Sequence, residues 1–200
     1  MSRQKGDIMR EVLISIQPKW VEKIVSGKKT VEVRKTKPKL ETPFKCYIYC
    51  TKDNTFAEKT LRGFDDNGKA IYYKANKGKV IGEFVCDRIN EFSVPYPAYF
   101  TEVDDSTKAI IENACLKPMD IHGYNGTHQT YGWHISDLVI YDKPRELSEF
   151  KKINRDCWYA DLGLAKRDCP ECKNASCMVQ RPPQSWCYIE PISITNGKAD

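Results

Sequence analysis

The stretch Gly27-Lys28-Lys29-Thr30-Val31-Glu32-Val33-Arg34 decides how the rest of the chain is read. On a strand, Thr30, Glu32 and Arg34 point one way while Val31 and Val33 point the other. The valines belong to a core, so the charged face meets a surface or a cleft. Residues two apart on a strand lie about 6.5 to 7 Å from each other, which lets Glu32 and Arg34 flank one small planar group. Lys29, just past the helix-ending Gly27, enters from the edge. A carboxylate accepts from an exocyclic amine or serves as a general acid or base, whereas Arg and Lys hold phosphate or a carbonyl oxygen. Such a set suits a nucleobase or nucleotide. An ordinary exposed Glu–Arg pair on an edge strand has the same spacing and is the plainer alternative.

Upstream, residues 12–17 alternate as a strand. Pro18 then opens a short helix whose Trp20, Val21, Ile24 and Val25 make one apolar face. Downstream, Phe44, Cys46, Ile48 and Cys50 mark a third strand, and Asn67-Gly68 signals a hairpin turn between 61–64 and 70–73. Residues 80–92 read as one long strand, 104–117 as a helix closed by Pro118, and 133–141 and 185–190 as the last strands. Tyr124, Gly126 and His128 fall in a glycine-containing loop, a potential lid. Many strands, two helices and no regular βαβ alternation predict an α+β domain, a small mixed β-barrel with helices packed at its openings.

Two hundred residues with 40% hydrophobic content suffice for one domain spanning 1–200. The polar start and the lack of a long apolar run predict a soluble, cytoplasmic protein, expected to be monomeric. The net charge is +5, but residues 1–40 hold eleven Lys/Arg against four acids, an excess of +7 that leaves −2 for the rest. That asymmetry favours a phosphate-bearing partner, although a solvated lysine-rich face also accounts for it.

The nine cysteines are too many to ignore and, being odd in number in a chain with its own core, do not suggest a disulfide framework. Cys46, Cys50, Cys86, Cys115 and Cys187 lie in strand or helix patterns as small apolar residues. Cys157, Cys169, Cys172 and Cys177 instead fall in an irregular, polar insertion at about 151–182, where Cys169-Pro170-Glu171-Cys172 forms a CxxC knuckle. One structural Zn²⁺ on these four thiolates would fold the insertion. Cys187 is an alternative to Cys157, and reduced thiols without metal are the competing reading.

The run Leu13-Ile14-Ser15-Ile16-Gln17-Pro18-Lys19-Trp20 followed by Gly27-x-Lys29-x-x-Glu32-x-Arg34 resembles the ASCH domain, whose signature is GxKxxExR after a strand and helix. The resemblance continues through Gly78-Lys79-Val80-Ile81-Gly82-Glu83-Phe84. It extends to Tyr131-Gly132-Trp133-His134-Ile135-Ser136-Asp137-Leu138 and Pro182-Pro183-Gln184-Ser185-Trp186-Cys187-Tyr188, which are similar to prophage-type members. It implies a PUA-like barrel whose signature strand lines a cleft, with Ser15, Lys19, Lys29, Glu32, Arg34 and Trp133 as ligand-binding residues. Tyr131, Trp186 and Tyr188 are further stacking candidates, and His134 is exposed if Trp133 is core.

The ligand implied is RNA or a modified nucleobase or nucleoside. Activities in the resembled family include hydrolysis of acylated cytidine and cleavage of RNA, so an enzyme is the alternative. Glu32 stands where the small amidohydrolase branch has a nucleophilic threonine. A hydrolase built here would use Glu32 as base for water and Lys29 or Arg34 to stabilise the oxyanion. A protein-interaction module on the same scaffold, as in a phage-encoded factor, is the third expectation.

Overall fold

The computed structural model describes residues 10–52, 60–64, 70–74, 77–96, 103–153 and 177–192. Strands β1 (Glu11–Ile16), β3 (Phe44–Cys50), β6 (Lys79–Cys86), β9 (Ser136–Arg145) and β10 (Trp186–Ile189) form one sheet in the order β10-β1-β3-β6-β9. Within it β1 and β3 run parallel and the other pairs antiparallel. The parallel pair requires a crossover. Helix α1 (Pro18–Val25) and strand β2 (Val31–Arg34) lie in that crossover, which is why the motif strand sits outside the larger sheet. β2 joins β8 (Thr130–His134) and β7 (Ile89–Phe92) in an antiparallel sheet of order β2-β8-β7. The predicted hairpin is present as β4 (Thr60–Phe64) paired with β5 (Ala70–Lys74); its turn lies outside the described residues.

The fold is α+β, as expected, but the barrel is corrected: the two larger sheets are separate and do not close on each other. The physical reason lies in two strands that the alternation pattern joins and the backbone breaks. The predicted strand 80–92 divides into β6 and β7 around Asp87 and Arg88, and the predicted strand 133–141 divides into β8 and β9 at Ile135. The two breaks meet, with the His134 N–H donating to the Arg88 carbonyl (3.0 Å) and the Ile135 N–H to that of Thr30 (2.8 Å). Each strand thus passes from one sheet to the other at the same level.

The predicted helix 104–117 is present as the shorter α2 (Asp105–Asn113), and a further helix that was not expected, α3 (Pro118–Asn125), follows it. Asp104 caps α2 by accepting from the Thr107 N–H at 2.9 Å. Cys115, at φ 55°, turns the chain, and Pro118 opens α3 rather than ending a helix, with the Asp120 carboxylate accepting from the Lys117 N–H (2.8 Å). The apolar residues of α3 do not gather on one face, so periodicity does not reveal it.

Three clusters of buried side chains result. Val12, Ile14, Ile24, Phe84 and Trp133 fill the space between α1 and the sheets. Val31, Val33, Phe92, Ile111 and Ile121 join the smaller sheet to α2 and α3. On the other face of the larger sheet, Leu13, Tyr47 and Tyr49 pack against Phe150, Val179 and Ile189. At Gly132 a Cβ would come within 2.9 Å of Ile110 and 3.1 Å of Val31, so α2 packs directly on the β8 backbone there. Among the described residues no helix is long and apolar enough to cross a membrane.

Candidate functional site

Burying Val21, Ile24 and Val25 turns α1 so that Lys19 and Trp20 border a cleft. Gly27 follows the helix at φ +71°, a left-handed conformation. A Cβ there would meet nothing within 4 Å, so the need for glycine is conformational rather than steric. The turn folds the chain back, with the Lys29 N–H donating to the Lys23 carbonyl at 2.9 Å. The Lys29 ammonium then donates to the Ala114 carbonyl beyond α2, also at 2.9 Å.

On β2, Glu32 lies opposite Trp133 and Arg34 opposite Tyr131. Val31 and Val33 face the cluster under α2 and α3, as alternation predicts. Arg34 donates through Nη1 to Glu32 Oε1 and to the Val33 carbonyl (2.9 Å), and through Nη2 to the Ser15 carbonyl (2.7 Å). Lys29 Nζ lies 3.4 Å from Glu32 Oε2. The three side chains belong to residues only 3%, 4% and 8% exposed, so two cations and one anion share a site almost without water. Burial lowers the pKa of the Lys29 ammonium against the opposing pull of Glu32. Burial alone would raise that of Glu32, but Arg34 and then Lys29 outweigh it and hold the carboxyl below its ordinary value of 4.5.

One consequence was not visible in the motif. The donors of Lys29 and the Nη groups of Arg34 are engaged by backbone carbonyls and by Glu32, and are therefore not presented as phosphate holders. Glu32 Oε2, by contrast, meets only the Lys29 ammonium at 3.4 Å, longer than a well-formed charge-assisted hydrogen bond; Arg34 Nε and Trp133 Nε1 are buried without a hydrogen-bond partner among the described residues. Such groups are costly to leave unmade. Glu32 and Arg34 both line the cleft.

The cleft encloses about 840 Å³. Lys29, Glu32 and Arg34 form its base, Lys19 and Trp20 one border, and Met119, Asp120 and Tyr124 of α3 another. Residues 182–185 complete the wall, fixed by the Ser15 hydroxyl donating to the Pro183 carbonyl (2.7 Å) and the Ser15 N–H to that of Ser185 (2.9 Å).

Of the six predicted ligand-binding residues, Ser15, Lys19, Lys29, Glu32 and Arg34 come together around this cleft. Trp133 does not. It is 0% exposed, with its ring 5.8 Å from those of Phe44 and Trp186, so the expectation that it stacks on a ligand is corrected to a core role. His134 is then the more exposed neighbour, as alternation requires, and pairs through Nδ1 with Asp87 at 2.6 Å. Trp186 donates to the Thr36 hydroxyl (3.1 Å) and Tyr188 accepts from the Lys39 N–H (2.6 Å), which gives both a bracing part beside the motif strand. Of the predicted glycine-containing loop, Tyr124 belongs to α3 and reaches the cleft from it, Gly126 caps that helix and His128 follows.

Among the predicted zinc ligands, Cys157, Cys169 and Cys172 lie outside the described residues. Cys177 is buried at 3% exposure, and its carbonyl accepts from the Lys152 N–H at 2.8 Å. Cys187, half-buried in β10, has its thiol pKa pushed up to about 11 by burial. Among the described residues no group of three His, Cys, Asp or Glu is arranged to hold a metal ion.

The class defined by this strand, helix and buried Lys–Glu–Arg base is confirmed by comparison of sequences. The sequence model of the ASCH domain matches residues 14–139, well over half of the chain, and the protein belongs to the ASCH domain family. Its fold is accordingly of the PUA-like type. No curated protein matches the sequence significantly. Among solved structures, the chain is similar to the ASCH protein from Zymomonas mobilis at 20% identity, with a TM-score of 0.46, covering 89% of this chain and 86% of that one. A mutant form of the Zymomonas mobilis protein gives 19% identity and a TM-score of 0.45, covering 89% and 87%.

Proposed function

We propose that the cleft binds one base of RNA, or a modified nucleobase or nucleoside, and that Glu32 Oε2 accepts a hydrogen bond from an N–H donor on the base. The observation that carries this is the buried, ionised carboxylate oxygen at the base of the cleft, which the Lys29 ammonium approaches only to 3.4 Å and which has no well-formed hydrogen bond among the described residues. A site built around an acceptor discriminates strongly against ligands that lack the matching N–H, because the carboxylate is then left desolvated. The volume of about 840 Å³ lies in the range of roughly 300–1,000 Å³ usual for small-molecule sites.

Isothermal titration with the common nucleosides, N-acylated cytidine and short RNAs tests the reading. Bases with an N–H donor on the recognised edge should bind, and Glu32→Gln should weaken them while the fold is kept. No binding by any of these probes would refute it.

Hydrolysis by the same residues is the second reading, supported by the placement of a lysine of lowered pKa beside a carboxylate. The same geometry weighs against it, since a carboxyl held below its ordinary pKa is a weak base. Release of acetate from N-acetylcytidine, or RNA cleavage, lost in both Lys29→Ala and Glu32→Ala, would establish it.

A further inference from the structure

We infer that the borders of the cleft form a track for a single-stranded nucleic acid, so that the ligand extends beyond the base held against Glu32. This deepens the reading above and rests on it for the position of the central base.

Each helix at the cleft carries an aromatic ring with lysine beside it. On α1 the Trp20 ring has Lys19 Nζ at 5.0 Å and Lys23 Nζ at 4.9 Å. On the α3 side the Tyr124 ring, 41% exposed, has Lys35 Nζ at 4.7 Å. Among the described residues none of Lys19, Lys23 and Lys35 pairs with a carboxylate, unlike Lys37, which is paired with Glu91. Tyr96, in the segment after β7, is 74% exposed and leans on the ring of His122 of α3 at 5.1 Å. Asp120, the acid that α3 brings to the cleft, is turned to its own helix start, where it accepts from the Lys117 N–H.

Stacking faces with unneutralised cations beside them are what a flexible strand of bases and phosphates needs. A nucleoside alone would use the base of the cleft and leave these pairs idle. An acidic peptide would use the lysines and leave the rings idle. Duplex nucleic acid keeps its bases stacked on each other and has none to give.

The test measures binding of labelled probes by the full chain. An RNA of about ten nucleotides should bind at least about tenfold tighter than nucleoside monophosphates, with log K falling against log salt at a slope of about −2 for three neutralised phosphates. The double variant Lys23→Ala/Lys35→Ala should remove most of that advantage and flatten the slope while leaving binding of an unphosphorylated nucleoside unchanged. Tyr124→Ala should weaken the RNA and Tyr124→Phe restore it. Equal affinity for DNA of the same sequence supports the track and assigns it to bases and phosphates rather than the 2′-hydroxyl.

The track is overturned if the RNA binds no tighter than a monophosphate, if polyglutamate or duplex RNA binds as well, or if the lysine variant has no effect. Glu32→Gln separates the two readings. If it abolishes monophosphate binding while the RNA shows no length advantage, the central base stands and the track falls. If it changes nothing while the lysine variant weakens RNA, the track stands and the position of the central base falls.

Discussion

Lys29 and Lys23 sit at nearly the same distance from the Trp20 ring, 5.2 and 4.9 Å, and share little else. Lys29 is almost fully buried, its ammonium held by the Ala114 carbonyl and close to Glu32. Lys23 is partly exposed on α1 and pairs with no described carboxylate. Both are basic residues of one N-terminal segment, and the motif that singles out Lys29 points to it, not to Lys23, as the cation that meets a ligand. Burial makes the difference: a desolvated lysine must spend its donors on the protein, whereas one at the border keeps them for a partner. The motif cation is therefore architectural, and the cations expected to meet phosphate lie around it.

The strongest way to break this contrast is to remove the centre of the buried set. Glu32→Ala leaves two cations buried without their anion and should cost about 3–5 kcal/mol, read as a lowered urea midpoint. Within that effect lies a pH dependence. The Glu32 carboxyl has a folded pKa below its unfolded value near 4.5, so the native state binds fewer protons. Its contribution should be fully present above about pH 4.5 and lost as pH falls through the lowered folded value. In Glu32→Gln that part of the acid-induced loss should be missing, which comparative acid titrations by circular dichroism will show.

A smaller effect comes from the apolar face of the same strand. Val33→Ala removes two buried methyl groups and should cost about 2 kcal/mol with no pH component, which separates the two faces of β2 in one pair of melts. Gly27→Ala should cost about 1–2 kcal/mol through its left-handed φ, with no cavity formed. Least of all, Lys23→Ala should leave the urea midpoint within error of the wild type. A measurable loss there would show that the border lysine is as structural as the buried one.

The central part of this site was legible because period-two alternation and a specific motif agreed on residues 27–34. The strand–helix–strand order around it was equally plain, as was the 60–74 hairpin. What stayed hidden depended on tertiary context. Alternation alone cannot show that a strand changes sheet, so β6/β7 and β8/β9 read as single strands and the fold as a small, partly closed barrel. Helix α3 has no amphipathic stripe, and Pro118 marks a helix start as readily as an end. Trp133 alternates like any strand aromatic, and only its packing against Phe44 and Trp186 makes it core. That Lys29 and Arg34 are consumed by carbonyls from Ala114 and Ser15 is a long-range fact that no local spacing encodes. By its spacing Trp20 belongs to an apolar helix face, although Lys19 beside it and Lys23 one turn on are a signal of another role already present in the sequence.

The hydrogen bond from Ser15 to Pro183 joins residues 168 positions apart, and it sets an order of events. During synthesis the motif strand emerges early, but the wall at 182–185 and the strand β10 that pairs with β1 arrive only when nearly the whole described chain has been made. A nascent chain therefore carries Lys29, Glu32 and Arg34 without a finished cleft around them. Assembly of the cleft is set by the arrival of residues 182–189 rather than by appearance of the motif, and a chain arrested before residue 182 should display the signature without a finished cleft.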